Sequence, residues 1–116
     1  MTLPPRIAKK KKQSSRWRSP AHRAFVRGHA CCNCGSTVAL EFAHLRMGSG
    51  AGMGEKPDDW RGTSLCRDCH QLQHTIGEPE FWGRYEKSKG HTVQELIEAF
   101  CKYSPKAAEI RAERNG

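Results

Sequence analysis

Residues 65–74 read LCRDCHQLQH, in which Cys66 and Cys69 form a Cys-x2-Cys pair that runs straight into His70 and His74. A helix that starts at this pair and continues to about Ile76, with Gly77 as its stop, projects both imidazoles from one face, where they can share a cation. One short element thus carries thiolates at its beginning and imidazoles further along.

Upstream, CCNCG over residues 31–35 supplies a second pair, Cys31 and Cys34, and Gly35 allows the backbone to turn its amides toward sulfur. Two such knuckles bring four sulfurs into tetrahedral reach of one ion, so Cys31, Cys34, Cys66 and Cys69 are expected to hold a structural Zn2+. A disulfide pair or a redox Cys-x-x-Cys motif suits two pairs poorly in a chain that shows no secretory signal. Cys32 competes with Cys31 for the first ligand position, but only Cys31 gives the x2 spacing to Cys34. His29 is a weaker alternative ligand, and Cys101 reads as a small core residue.

Between the knuckles, residues 37–44 (TVALEFAH) favour a strand ending at His44, and residues 62–65 favour a short second strand. The intervening Gly48–Gly54 stretch matches neither G-x-G-x-x-G nor a P-loop, which argues against a nucleotide cradle. With the knuckles pinning strand to helix, His44 faces His70 and His74. A neutral imidazole can then take a proton from water while a cation stabilises phosphorane charge.

Outside this segment, Ser19 reads as an N-cap with Pro20 at the first helical position, and Gly28 ends that helix. His22 and His91 read as solvent-facing or capping groups. A further helix opens at Pro79 and ends near Gly90. Thr92 to Glu95 form a capping box before an apolar face of Val93, Leu96, Ile97 and Phe100. The expected organisation is a disordered basic arm over 1–18, a domain over 19–103 and a polar tail, at most an exposed helix, over 104–116.

Charge is uneven. Residues 1–40 carry nine basic groups and no acid, whereas the other 76 of the 116 residues carry eleven basic and twelve acidic groups. The net charge of +8 therefore resides in the arm, where Lys9, Lys10, Lys11, Lys12, Arg16 and Arg18 suit a phosphate backbone through counterion release. Trp17 can stack on a base or pack on the domain. Arg46 and Arg67 flank the histidines and suit phosphates. With 36% hydrophobic residues and a mean hydropathy of −0.78, the apolar core is modest and a metal staple is expected. No apolar run approaches the roughly 18 residues of a membrane helix. The six cysteines without a signal peptide imply a reducing cytosol.

The string AHLR…GMGEKPDDW…LCRDCHQLQHTIGEPEFW resembles the HNH endonucleases, and within them the zinc-stapled phage and prophage proteins related to recombination-enhancement nucleases. The resemblance covers about residues 19–82 and implies an α+β chain with a ββα-metal domain and flanking helices. By position, His44 matches the family's general base, and His70 and His74 match its helix-borne ligands for a catalytic Mg2+ or Mn2+. Asp59 falls near the asparagine that orients the base. Many members place Asp or His immediately before the base as a further ligand; this chain has Ala43, leaving Glu41, Asp58 or water to complete the set. The resemblance implies metal-dependent hydrolysis of DNA with little sequence specificity, leaving a 5′-phosphate and a 3′-hydroxyl. Its setting is phage or mobile-element DNA processing in a bacterial or infected-host cytosol, with a recombinase filament as a partner. The rival expectation is a zinc-knuckle nucleic-acid-binding module without turnover. The sequence carries no signal for oligomeric state.

Overall fold

A computed structural model describes residues 2–6, 16–52 and 54–116. Lys9, Lys10, Lys11 and Lys12 lie outside the described residues. The elements run α1 (Pro20–Arg27), β1 (Leu40–His44), β2 (Gly62–Cys66), α2 (Arg67–Ile76), α3 (Glu78–Lys89), α4 (Val93–Tyr103) and α5 (Ala107–Asn115). The chain is thus α+β, with one small sheet.

β1 and β2 pair antiparallel, in register from Leu40 opposite Cys66 to His44 opposite Gly62. All five β2 residues are buried, because α1, α2 and α4 all pack on this strand. The two-stranded sheet has too little apolar surface to stand alone. Leu65, Phe81, Trp82, Tyr85, Ile97 and Ile110 therefore draw the later helices onto it as a common core. Each such side chain contributes about 1.5–3 kcal/mol on burial.

Local chemistry sets the element ends. Ser19 caps α1 through its Oγ, which accepts from His22 N at 3.1 Å. Thr92 caps α4 by accepting from Glu95 N at 3.1 Å. The first strand starts later than the β-favouring run suggests. The knuckle reaches forward to take Ser36, whose carbonyl accepts from Cys31 N at 2.8 Å, and Ala39 turns at φ 55° before pairing begins at Leu40.

Two boundaries differ from expectation. Residues 16–19 form a strap along 55–59 rather than the end of a loose arm. Trp17 N donates to Asp58 Oδ1 at 2.7 Å, Asp59 N donates to Trp17 O at 2.9 Å, and Ser19 N donates to Asp59 Oδ2 at 2.8 Å. The Trp17 ring is buried, and its Nε1 donates to Glu109 Oε1 of α5 at 3.0 Å. The polar tail likewise forms α5, held by Ile110 at 1% exposure and by Arg114, which grips Glu98 through two bonds of 2.8 and 2.7 Å. The Arg114 guanidinium also lies 4.3 Å from the centre of the Trp60 ring. One apolar residue and one well-placed arginine dock a helix that composition alone marks as solvent-exposed.

Candidate metal and histidine site

The two knuckles meet at the start of α2. Cys66 is the N-cap of that helix and accepts from Cys69 N at 3.4 Å, so the helix start fixes one pair of sulfurs. The other pair is shaped by the turn in which Gly35 N donates to Cys31 O at 2.9 Å, with Gly35 at φ 80°. The ligand atoms of Cys31, Cys34, Cys66 and Cys69 all lie within 4.8 Å of one another, and Cys34 Sγ is 3.6 Å from Cys66 Sγ. Among the described residues this is the one group of three or more His, Cys, Asp or Glu side chains gathered so closely. Burial raises the Cys31 thiol, but amides from Cys34, Cys66 and Asn33 bring it down to about 7, whereas burial pushes Cys69 up to about 12. Four thiolates this close repel unless a cation sits among them, and the donor set fits a soft, tetrahedral dication.

Cys32 stands apart from the cluster: its thiol donates to Ser64 O at 2.6 Å, and burial raises it to about 11. His29 also stays outside, with Nδ1 on Phe25 O at 2.8 Å and its ring 5.2 Å from Phe100. Cys101 is buried and donates to Trp60 O at 3.4 Å. His22, read from the sequence as surface or capping, is instead fully buried. Its Nδ1 meets Ser104 Oγ at 2.8 Å, and its Nε2 has no partner.

The histidines line an open cleft of about 580 Å³ whose walls include Phe42, His44, Arg46, Lys56, His70, Gln73, His74 and Glu78. His44 sits at the end of β1, and its Nε2 lies 2.9 Å from Asp59 Oδ1. Asp59 is 1% exposed and is held by the Ser19 amide, by Arg18 Nη1 at 3.4 Å, and by Arg23 Nε at 3.2 Å in an ion pair without hydrogen-bond alignment. Because an ionised carboxylate only accepts, Nε2 of His44 carries the hydrogen and Nδ1 keeps its lone pair. Burial lowers the His44 pKa, Asp59 opposes that shift, and the charges of Arg18 and Lys56 add to it. His44 is therefore neutral at pH 7.

Packing fixes the same ring. Phe42 meets His44 edge-to-face at 4.9 Å and 89°. The Phe42 ring occupies the space above Gly62, where a Cβ would fall inside it.

On α2 the rings of His70 and His74 are 4.8 Å apart, and His70 Nδ1 donates to Glu41 Oε1 at 2.8 Å. That bond leaves His70 Nε2 as the available lone pair. A histidine that binds a metal ordinarily holds its second nitrogen on a carboxylate in this manner. Asp58, the other acid considered for a ligand, is occupied by Trp17 N and by Arg16. Ala43 is buried in the core.

The cations expected to meet nucleic acid divide. Arg46 lines the cleft, with its Nη2 on Gly52 O at 2.7 Å. Arg67 lies instead beside the cysteine cluster, in a groove with Val38, Ala39 and Asp68. Arg16 is bound to Glu55 and Asp58, and Arg18 to Asp59 and the carbonyls of Lys56 and Pro57, so both guanidiniums fasten the strap. Sequence reasoning missed Glu78, whose carboxylate accepts from Arg46 N at 2.9 Å and Met47 N at 2.8 Å and closes one cleft wall. It also missed Lys56 and Gln73. A Glu ahead of Pro79 marks a helix start, but not the loop it receives.

Residues 3–104 match the family described as a protein of unknown function (DUF968), and the chain belongs to that family. No curated protein and no solved structure matches it.

Proposed function

We propose that the protein is a metal-dependent HNH-type endonuclease that hydrolyses DNA phosphodiester bonds with little sequence specificity. The observation that carries this reading is the pairing of each key imidazole with its own carboxylate around one cleft. Asp59 orients His44 with Nδ1 free, and Glu41 orients His70 with Nε2 free. The two roles thereby separate into a neutral base and a ligand, which a purely structural histidine cluster does not require.

The four cysteines suit Zn2+ as a structural ion, and His70 and His74, with water completing the shell, suit Mg2+ or Mn2+. When bound, that second ion supplies charge neutralisation at the phosphorane and the leaving oxygen. His44 Nδ1 takes the proton of the attacking water, and Asp59 stabilises the imidazolium that results. Arg46 and Lys56 at the cleft hold phosphate charge, and the lysines of the arm add affinity that falls steeply with salt. Phage or mobile-element DNA processing in the cytosol, and contact with a recombinase filament, belong to the same reading through the family resemblance.

The test is cleavage of supercoiled plasmid and of single-stranded DNA with Mg2+, Mn2+ or EDTA, beside His44→Ala. The expected result is metal-dependent nicking that drops by about 10²–10⁴-fold in the variant, with DNA binding and zinc content unchanged. DNA retarded but intact under every metal would replace the nuclease with a zinc-knuckle binding module.

A further inference from the structure

Asp59 fixes the His44 ring, yet Asp59 itself lies on the connection between β1 and β2, where residues 55–58 belong to no helix or strand. A side chain on a loop is oriented only as well as the groups that hold that loop. Here the restraint comes from a distant part of the chain. Arg18 Nη2 donates to Lys56 O at 2.9 Å, while its Nη1 donates to Pro57 O and lies 3.4 Å from Asp59 Oδ1. Among the described residues, no other donor reaches the carbonyls of Lys56 and Pro57. One guanidinium thus spans the two peptides ahead of Asp59 and touches the carboxylate oxygen that His44 Nε2 meets at 2.9 Å. Its planar set of donors suits several fixed acceptors at once, and an ammonium on a flexible stem carries no such fork.

We infer that Arg18 is a positioning residue of the proposed nuclease, locking the turn over residues 56–59 so that Asp59 meets His44, and is not a contact to DNA phosphate. This inference rests on the nuclease reading of the cleft. The side chain is 39% exposed and follows a lysine-rich stretch, so phosphate binding is the competing role. The geometry argues against that role, because both terminal nitrogens already hold acceptors of the turn, which a phosphate would have to displace. A displacement of about 1 Å in a catalytic group can cost about 10²-fold in rate. Loosening the turn is therefore read in the rate of cleavage, and losing a phosphate contact in affinity.

Two readouts on the full, zinc-loaded chain separate these roles. One is the NMR signal of the His44 Nε2 proton, which a bond to buried Asp59 protects from exchange. The other is single-turnover plasmid cleavage beside DNA binding measured across salt concentrations. In Arg18→Gln the proton signal is expected to vanish and cleavage to slow by up to about 10²-fold, with DNA affinity and its salt dependence unchanged. Arg18→Lys keeps the charge without the fork and is expected to show the same losses. It also carries the test if zinc content and a thermal melt show that Arg18→Gln does not fold. In a parent that cuts DNA, a retained proton signal or a parental cleavage rate in either folded variant would overturn the inference alone. Weakened DNA binding with a salt slope shallower by about one phosphate would overturn it too, in favour of the phosphate contact. A parent that cuts no DNA ends the nuclease reading and the inference together.

Discussion

At the scale of single residues, Asp59 decides what His44 can do. It is a buried charge tolerated because Arg18, Arg23 and the Ser19 amide surround it, and its remaining oxygen lone pairs select the His44 tautomer. Burial and the neighbouring cations lower the His44 pKa, whereas Asp59 raises it. In the proposed nuclease the active form is the neutral imidazole, so activity is full above that pKa and falls as the pH drops through it, below the ordinary histidine value of about 6.5. Asp59→Asn removes the raising influence. The acidic limb of the pH–rate profile should therefore move to lower pH, while the maximal rate falls because an asparagine no longer enforces the tautomer or stabilises the imidazolium. Rates measured between pH 4.5 and 8 check this; an unmoved limb, or one displaced upward, would show that Asp59 does not set the charge state of His44. The linkage also reaches stability. The unfolded chain binds the His44 proton more readily than the folded one, so this group's stabilising contribution is complete above about 6.5 and is lost as pH falls through the folded value. Buried His22 carries the same sign.

At the scale of elements, the informative pair is Gly62 against Phe42. The register that sets His44 opposite Gly62 leaves an empty position into which the Phe42 ring folds, and that ring then props His44 from the side. Gly62→Ala is expected to push Phe42 out of this space at a cost of about 1–3 kcal/mol, with the edge-to-face contact to His44 lost as well. A thermal melt beside a ring-current shift of the His44 protons would register both effects; an unchanged melt with unchanged shifts would show that the ring has no such constraint. None of this is legible in the residues 62–65 alone, which advertise only a short strand. What the sequence displays well is local: the Cys-x2-Cys spacings, the four-residue gap from His70 to His74, the Ser19 cap, and the Thr92 to Glu95 box all depend on neighbours within a few positions. What it conceals is long-range. The bond from Trp17 to Glu109 joins residues 92 positions apart, and the one from His22 to Ser104 joins residues 82 apart. Neither leaves a periodic pattern, which is why an arm ending at 18 and a free tail from 104 were natural expectations.

For the molecule as a whole, the question is what holds so modest a core together. The apolar cluster draws on α3, α4 and α5, yet its members meet the sheet beside Cys31, Cys66 and Cys69, which belong to the same cluster. The sulfur tetrad therefore joins the first knuckle, the end of β2 and the start of α2 at one point, and α2 in turn carries His70, Gln73 and His74. If a dication sits there, its binding free energy is folding free energy, because the unfolded chain has no preformed site. Apparent values for structural zinc of about 10–16 kcal/mol equal or exceed the typical domain stability of about 5–15 kcal/mol. Removing the ion should thus abolish the folded state rather than soften it. Native mass spectrometry is expected to find one zinc per chain. Chelation is expected to eliminate the cooperative thermal transition, and Cys66→Ser to reproduce that loss without chelator, since Cys66 is both ligand and helix cap. Added Mn2+ should restore neither, because a hard ion does not replace a soft one among four thiolates. A chain stripped to zero zinc that still melts at its original temperature would mean that the helices alone carry the fold. The four cysteines would then be a cluster of buried thiols held by packing, and the position of α2 against His44 would depend on the apolar core.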